Sequence, residues 1–323
     1  MKSNIFSLII LSNFLFVYFF NLIEKKINLY DFPNNKRKIH KKKTAPLGGV
    51  LILVNLLFYY ILNYFNGLVE NILFLIVSII FFIIGYLDDK YNIKAIKKLF
   101  LTIFIIFFFL IVDNNMLIKS LNISYLSTKI QFNFLTSILF SVFCIVVFLN
   151  AFNFFDGINL QSGIYSLFIF LIFIFKSYNV NVSTLLIVGI IFFLYLNYKG
   201  LCFLGNNGSL LLGFIISYFF IDAYNKNVIT TDEISLIMLI PGIDLIRLFF
   251  RRSIQGHSPM KPDNHHLHHY LIKRYNLVKT NIIFGLLIIL PTFINFLTAN
   301  YTLCIIIINI LCYLLLINKL KKI

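Results

Sequence analysis

The chain has 323 residues, of which 60% are hydrophobic and 12% charged, with a mean hydropathy of +0.90. Soluble domains carry roughly 45–50% apolar and about 25% charged residues, so no soluble core could bury this much apolar surface and the surrounding solvent must be lipid. The net charge of +16 is strongly basic, while Cys144, Cys202, Cys304 and Cys312 form no CxxC pair, which argues against a disulfide framework and a thiolate metal site.

A membrane-spanning helix needs about 20 mostly apolar residues. Eleven apolar cores approach this in chain order: Ile5–Ile23, Leu47–Phe65, Ile72–Leu87, Leu99–Val112, Phe134–Leu149, Ile164–Phe175, Val182–Leu196, Leu210–Ile221, Ile234–Phe250, Ile282–Leu297 and Leu303–Ile317. The first lacks a strong basic n-region and a small-x-small cleavage site, so it reads as a retained helix rather than a signal peptide. With the loop after it placed inside, 23 of the 28 Lys and Arg residues fall on the inner side, which then carries a formal charge of +16 against zero outside. Cytoplasmic loops attract such an excess. The sequence therefore predicts an all-α polytopic membrane protein of about eleven helices, N-terminus outside and C-terminus cytoplasmic. It reads as one transmembrane domain over 1–323 with inner loops at 24–46, 88–98, 150–163, 199–209 and 251–279. The basic inner face itself implies only topology and attraction to anionic lipid. No nucleic-acid partner is expected.

Six of the seven inner acids and all six histidines fall in a few inner segments, which lysine bias does not require. Polar groups next to lipid are expensive and tend to mark function. The first segment runs from Asp31 through Arg37, Lys38 and His40 to Gly48 and Gly49. Its cations could bind phosphate, or serve as a topology signal before a helix start. The second is the pair Asp88 and Asp89 at the end of an apolar helix. Neighbouring residues on a helix point about 100° apart, so the two carboxylates have different targets. The macrodipole disfavours them at a C-terminus, which favours a function over a merely solvated end.

The third segment holds Asn150, Asn153, Asp156, Gly157 and Asn159. Three-residue spacing sets its polar groups on a drifting helical stripe, and their mixed donors and acceptors suit a base or sugar. The fourth, Gly205-Asn206-Asn207-Gly208-Ser209, precedes an apolar helix. It reads either as a Ser209 cap or as an anion cradle. In the fifth, Asp244 and Arg247 are spaced i, i+3 inside a predicted span kinked by Pro241, where they would line a cavity. The last contains Asp263, His265, His266, His268 and His269. Histidines at this spacing can ligate zinc. No cysteine accompanies them, however, and the nearby Lys and Arg favour an anionic partner or proton transfer.

Taken in order, these segments resemble the polyprenyl-phosphate N-acetylhexosamine-1-phosphate transferases of glycosyltransferase family 4. The resemblance runs from Asp31 to His269. It rests on the Asp31-x-Pro-x-x-x-Arg-Lys-x-His start, the Asp88-Asp89 pair, the Asn153-x-x-Asp156-Gly157 run and the His266-Leu-His268-His269 block. The start and the His block look more like the branch initiating O-antigen, enterobacterial antigen or teichoic acid than the muramyl-pentapeptide branch.

The resemblance implies attack of undecaprenyl phosphate on the β-phosphate of a UDP-N-acetylhexosamine, release of UMP, and the start of cell-surface polysaccharide assembly at the cytoplasmic face of the plasma membrane. It implies Mg2+, with Mn2+ as a substitute, and leaves a homodimer open. Asp88, Asp89, Asp156, His266, His268 and His269 would be catalytic. Arg37, Lys38, His40, Asn150, Asn153, Gly157, Asn159, Asp244, Arg247 and Asp263 would bind substrate. Asp88, Asp89, Asp156 and Asn206 would serve the metal. Two departures stand out. Asn206 replaces the acid of the family's Gly-Asp-x-Gly-Ser run, and Asn159 and Leu160 replace the second acid and glycine of its Asp-Gly-x-Asp-Gly run. A catalytically silent homologue that binds polyprenyl phosphate or an assembly partner is the alternative. A transporter fits poorly, because the polar groups sit at inner helix ends and no internal repeat is visible.

Overall fold

The computed structural model describes residues 3–33, 42–65, 71–124, 129–256, 258, 264–298 and 301–321. In chain order the elements are α1 (Ser3–Tyr18), α2 (Phe20–Ile27), α3 (Gly48–Phe65), α4 (Ile72–Tyr91), α5 (Ala95–Val112), β1 (Ser120–Leu121), β2 (Ile130–Gln131), α6 (Phe134–Phe155), α7 (Gln161–Phe175), α8 (Val180–Tyr198), α9 (Gly205–Asn225), α10 (Thr231–Ile254), α11 (Leu267–Arg274), α12 (Leu277–Leu297) and α13 (Thr302–Lys321). The strands form a two-stranded antiparallel ribbon pairing Ser120 with Gln131 and Leu121 with Ile130.

All eleven predicted apolar cores are helical. Among the described residues, seven helices (α4, α5, α6, α8, α9, α12 and α13) are long and apolar enough to cross a membrane, or eight if α1 and α2 count as one bent span. The apolar helices α3 and α7 are shorter, and α10 carries Asp244, Arg247 and Arg251 in its apolar stretch. The chain is thus an all-α polytopic membrane protein. On α5, Phe100, Phe104, Phe108 and Val112 are exposed at four-residue spacing, the outward apolar stripe that lipid requires.

The first core differs from expectation. It is not one helix over Ile5–Ile23 but two, bent by 67° at Phe19. The cause is compositional: α2 turns amphipathic at Glu24, Lys25 and Lys26, burying Phe20, so its charged face leaves the apolar line of α1. The abundant asparagines terminate helices. Asn71, Asn133 and Asn276 accept the first-turn backbone N–H groups of α4, α6 and α12. Asn28 and Asn92 close α2 and α4 in the left-handed conformation. Thr230 and Glu233 form a capping box on α10.

The described chain divides into two compact units. The first comprises residues 1–98 and 162–216. In it α3 packs on α8, α1 and α4, and α1 packs on α8. Phe81 stacks on Phe214 with ring centroids 5.0 Å apart. The stretch before α3 runs beside the stretch before α9: Phe203 N–H donates to Ala45 O at 3.0 Å and Gly48 N–H to Phe203 O at 2.9 Å. Deeper in this unit, Asn13 on α1 and Asn55 on α3 exchange reciprocal amide hydrogen bonds of 2.8 and 2.9 Å, fully buried. Such pairs between membrane helices couple by about 0.6 kcal/mol on average and up to about 1.7. A thermal-unfolding double-mutant cycle with Asn13→Leu and Asn55→Leu is expected to give a favourable coupling in that range. A coupling of zero would mean the amides do not tie α1 to α3.

The second unit comprises residues 99–161 and 217–323. Here α10 is central, packing against α6, α12 and α13, and α11 lies against α12 and α13. Helix α11 is a short amphipathic helix that the apolar pattern did not announce; it buries Leu267, His268 and Leu271.

Candidate active-site centres

Among the described residues, most of the polar groups that the sequence singles out lie in two centres, one in each unit. The first lies where the last turn of α4 meets the first turn of α9. Asp88 and Asp89 do face different partners. Asp88 is buried and pairs with Lys98 at 2.8 Å. Lys98 Nζ also reaches Asn206 Oδ1 at 3.5 Å. Asp89 instead accepts four N–H groups from the start of α9. Its Oδ1 takes the backbone N–H and the side-chain amide of Asn206, both at 2.9 Å. Its Oδ2 takes the backbone N–H of Asn207 at 3.0 Å and the side-chain amide at 2.5 Å.

The anion cradle expected at this helix start is therefore filled by the chain's own carboxylate. Ser209 is the fifth residue of α9, which begins at Gly205, so it is not the N-cap. The macrodipole conflict at the end of α4 is resolved by the opposite pole of α9 and by Lys98. Small residues permit the approach. A Cβ on Gly85 would collide with the backbone of Asn206 and Asn207, and one on Gly205, at φ +74°, with Asp89 and Pro46. Asn207 also donates to Pro46 O at 2.7 Å.

The second centre is built on Asp244 of α10. Its Oδ1 accepts from Tyr313 Oη at 2.6 Å, Arg247 Nη2 at 2.7 Å and Leu267 N–H at 3.3 Å, and its Oδ2 meets His266 Nδ1 at 2.8 Å. Arg247 also donates to Tyr313 Oη at 2.7 Å and to His265 O at 2.6 Å. Its Nη1 is buried with no hydrogen-bond partner among the described residues. The carboxylate thus docks the start of α11 and aims its histidines. The His266 and His268 rings stack with centroids 5.2 Å apart, and Phe154 lies 5.7 Å from His266.

His268 packs directly against Gly157, where a Cβ would overlap its ring. Burial, then the neighbouring His269 and His266, hold the His268 imidazole well below the usual histidine range, against the pull of Asp244.

The stripe predicted over 150–159 is shorter than expected. Asn150 and Asn153 lie on α6, but the helix ends at Phe155 and Asp156 is its C-cap. Asp156, Gly157 and Asn159 belong to the turn before α7, in which the lack of a Cβ at Gly157 admits the His268 ring. Asn150 donates back to Val146 O at 2.8 Å, and Asn281 of α12 holds the turn through Asn159 O at 3.1 Å. Leu160, where the resembling family has glycine, has φ +72°. A non-glycine residue there costs about 1–2 kcal/mol, so the turn keeps a glycine-like shape without the glycine.

Arg37, Lys38, His40 and Asp263 lie outside the described residues. Lys98 and Tyr313 were missed: Lys98 is one of many inner-face lysines, and Tyr313 sits in an apolar helix. The one available signal was that Asn309 and Tyr313 share a face at i, i+4. Among the described residues, no three His, Cys, Asp or Glu side chains are arranged to hold a metal ion. In the first centre Asp89 is saturated by N–H donors, which leaves Asp88 and the Asn206 carbonyl oxygen, both already in contact with Lys98.

The comparisons agree with these motifs. Residues 71–224 match the family described as Glycosyl transferase family 4. The chain is 28% identical over 280 residues to the undecaprenyl-phosphate alpha-N-acetylglucosaminyl 1-phosphate transferase of Escherichia coli O157:H7, covering 80% of this chain and 73% of that protein. It is 28% identical over 265 residues to the protein of the same name from Thermotoga maritima, covering 81% and 79%. It is 32% identical over 194 residues to the phospho-N-acetylmuramoyl-pentapeptide-transferase of Petrotoga mobilis, covering 55% and 60%. The match to glycosyl transferase family 4 spans just under half of the chain, and the order of the motifs and the names of the relatives make the chain similar to the polyprenyl-phosphate N-acetylhexosamine-1-phosphate transferases.

Proposed function

We propose that this protein transfers an N-acetylhexosamine 1-phosphate from a UDP-sugar to undecaprenyl phosphate. A phosphate oxygen of the lipid attacks the β-phosphorus of the donor. The bond from that phosphorus to the bridging oxygen of UMP breaks, UMP leaves, and a lipid diphosphate sugar remains. Transfers of this kind need little covalent help from the protein. Positioning alone can lower a barrier by about 7–11 kcal/mol.

The observation that carries this reading is the Asp244 hub, which holds the His block against the Gly157 turn in a chain whose relatives bear these names. In the second centre, His266, His269 and the Nη1 of Arg247 suit the donor's diphosphate, and Asn153 and Asp156 suit its nucleoside. In the first, Lys98 and Asp88 suit the phosphate of the lipid. Mg2+ would neutralise diphosphate charge. The donor atoms of the first centre do not fit an ion held by protein alone, so magnesium belongs to this proposal only as a companion of the donor. The positive inner face supports eleven crossings, an outside N-terminus, a cytoplasmic C-terminus and cytoplasmic chemistry in the plasma membrane. A silent homologue is the weaker reading, since Asp88 keeps its pairing with Lys98 and Asp244 holds His266, Arg247 and Tyr313.

The test is UMP release by the purified protein in detergent, with undecaprenyl phosphate and a panel of UDP-N-acetylhexosamines, with and without Mg2+. Release that requires both the lipid and one donor is expected. No release from any donor would leave the binding-only reading.

A further inference from the structure

Asn206 stands where the resembling family carries an acid, and its surroundings suit the amide. Its Nδ2 donates to Asp89 and its Oδ1 faces Lys98 Nζ at 3.5 Å, while Lys98 pairs with Asp88 at 2.8 Å. A carboxylate at 206 has no N–H to give. It would set an oxygen against Asp89 Oδ1 at the separation, 2.9 Å, now bridged by a hydrogen bond. Formal charge makes the same point. Two carboxylates face one ammonium and a helix N-terminus worth about +0.5 charge, so the centre is close to balance. A third carboxylate would require another cation.

We propose that Lys98 is the resident cation of this centre and that Asn206 is its hydrogen-bond bridge to Asp89, so that this centre binds no divalent ion by itself and Asn206→Asp would create a divalent site there. The inference goes beyond the transferase reading and can fail separately, because its test contains no substrate.

The full-length protein in detergent is titrated with MnCl2, with free Mn2+ followed by electron paramagnetic resonance, and with MgCl2, followed by thermal unfolding. The unaltered chain is expected to show no saturable Mn2+ site at this centre and no Mg2+-dependent shift in Tm. Asn206→Asp is expected to bind one Mn2+ at least about tenfold more tightly, since affinity for such ions follows the ligand charge count. Its Tm should rise with Mg2+. Lys98→Met leaves two carboxylates without their cation and is expected to gain the same dependence, which keeps the test decisive should Asn206→Asp not fold. Stoichiometric Mn2+ binding by the unaltered chain that disappears in Asp88→Asn would overturn the proposal. So would the absence of any gain in every variant that folds.

Discussion

Asp88→Asn is expected to lower UMP release by about 10²–10³-fold, the usual cost of losing one pre-organised charged contact at a reacting centre, while the protein stays folded. Asp89→Asn is expected to do something different. Asp89 accepts four N–H groups at the start of α9, and an amide there turns one acceptor oxygen into a donor facing donors. Hydrogen bonds to a charged group are worth about 1.5–3 kcal/mol each, so the loss should reach at least about 3 kcal/mol and appear as a lowered Tm. Any fall in activity would then follow the loss of folded protein. Thermal unfolding and UMP release on the same preparations separate the two effects. A stable but inactive Asp89→Asn beside an active Asp88→Asn would reverse these roles.

The second large effect belongs to Asp244. Its oxygens are engaged by Tyr313, Arg247, His266 and Leu267, so it acts as a positioning residue for the histidines. Asp244→Ala removes the partner of a buried guanidinium, which costs about 3–5 kcal/mol, and releases the start of α11. A loss of activity of about 10³-fold with a clearly lowered Tm is expected. Tyr313→Phe removes one donor and should be milder, about 1–3 kcal/mol, with the KM for the UDP-sugar unchanged and kcat reduced. A raised KM with normal stability in Tyr313→Phe would instead place the hydroxyl on the substrate.

The first centre was only partly legible in advance. The Asp88-Asp89 pair was visible because two acids at the end of an apolar helix conflict with its macrodipole. Which of them caps α9 was not, because that depends on Gly85 and Gly205 admitting the partner helix. The contact of the Gly157 turn with His268 was not legible either, since that ring comes from more than a hundred residues further along the chain.

The sequence by itself determined that the protein is helical and polytopic in lipid, where its apolar helices lie, and which polar residues are candidates for its chemistry. Apolar length, charge asymmetry and motif order are local properties. Only the tertiary structure decided the partners: Asp88 with Lys98, Asp89 with the start of α9, Asp244 with His266 and Tyr313, and the bend at Phe19. Those choices depend on backbones coming within hydrogen-bonding distance across long stretches of chain. In an apolar surrounding each buried charge must find such a partner, and nothing in its sequence neighbours says which.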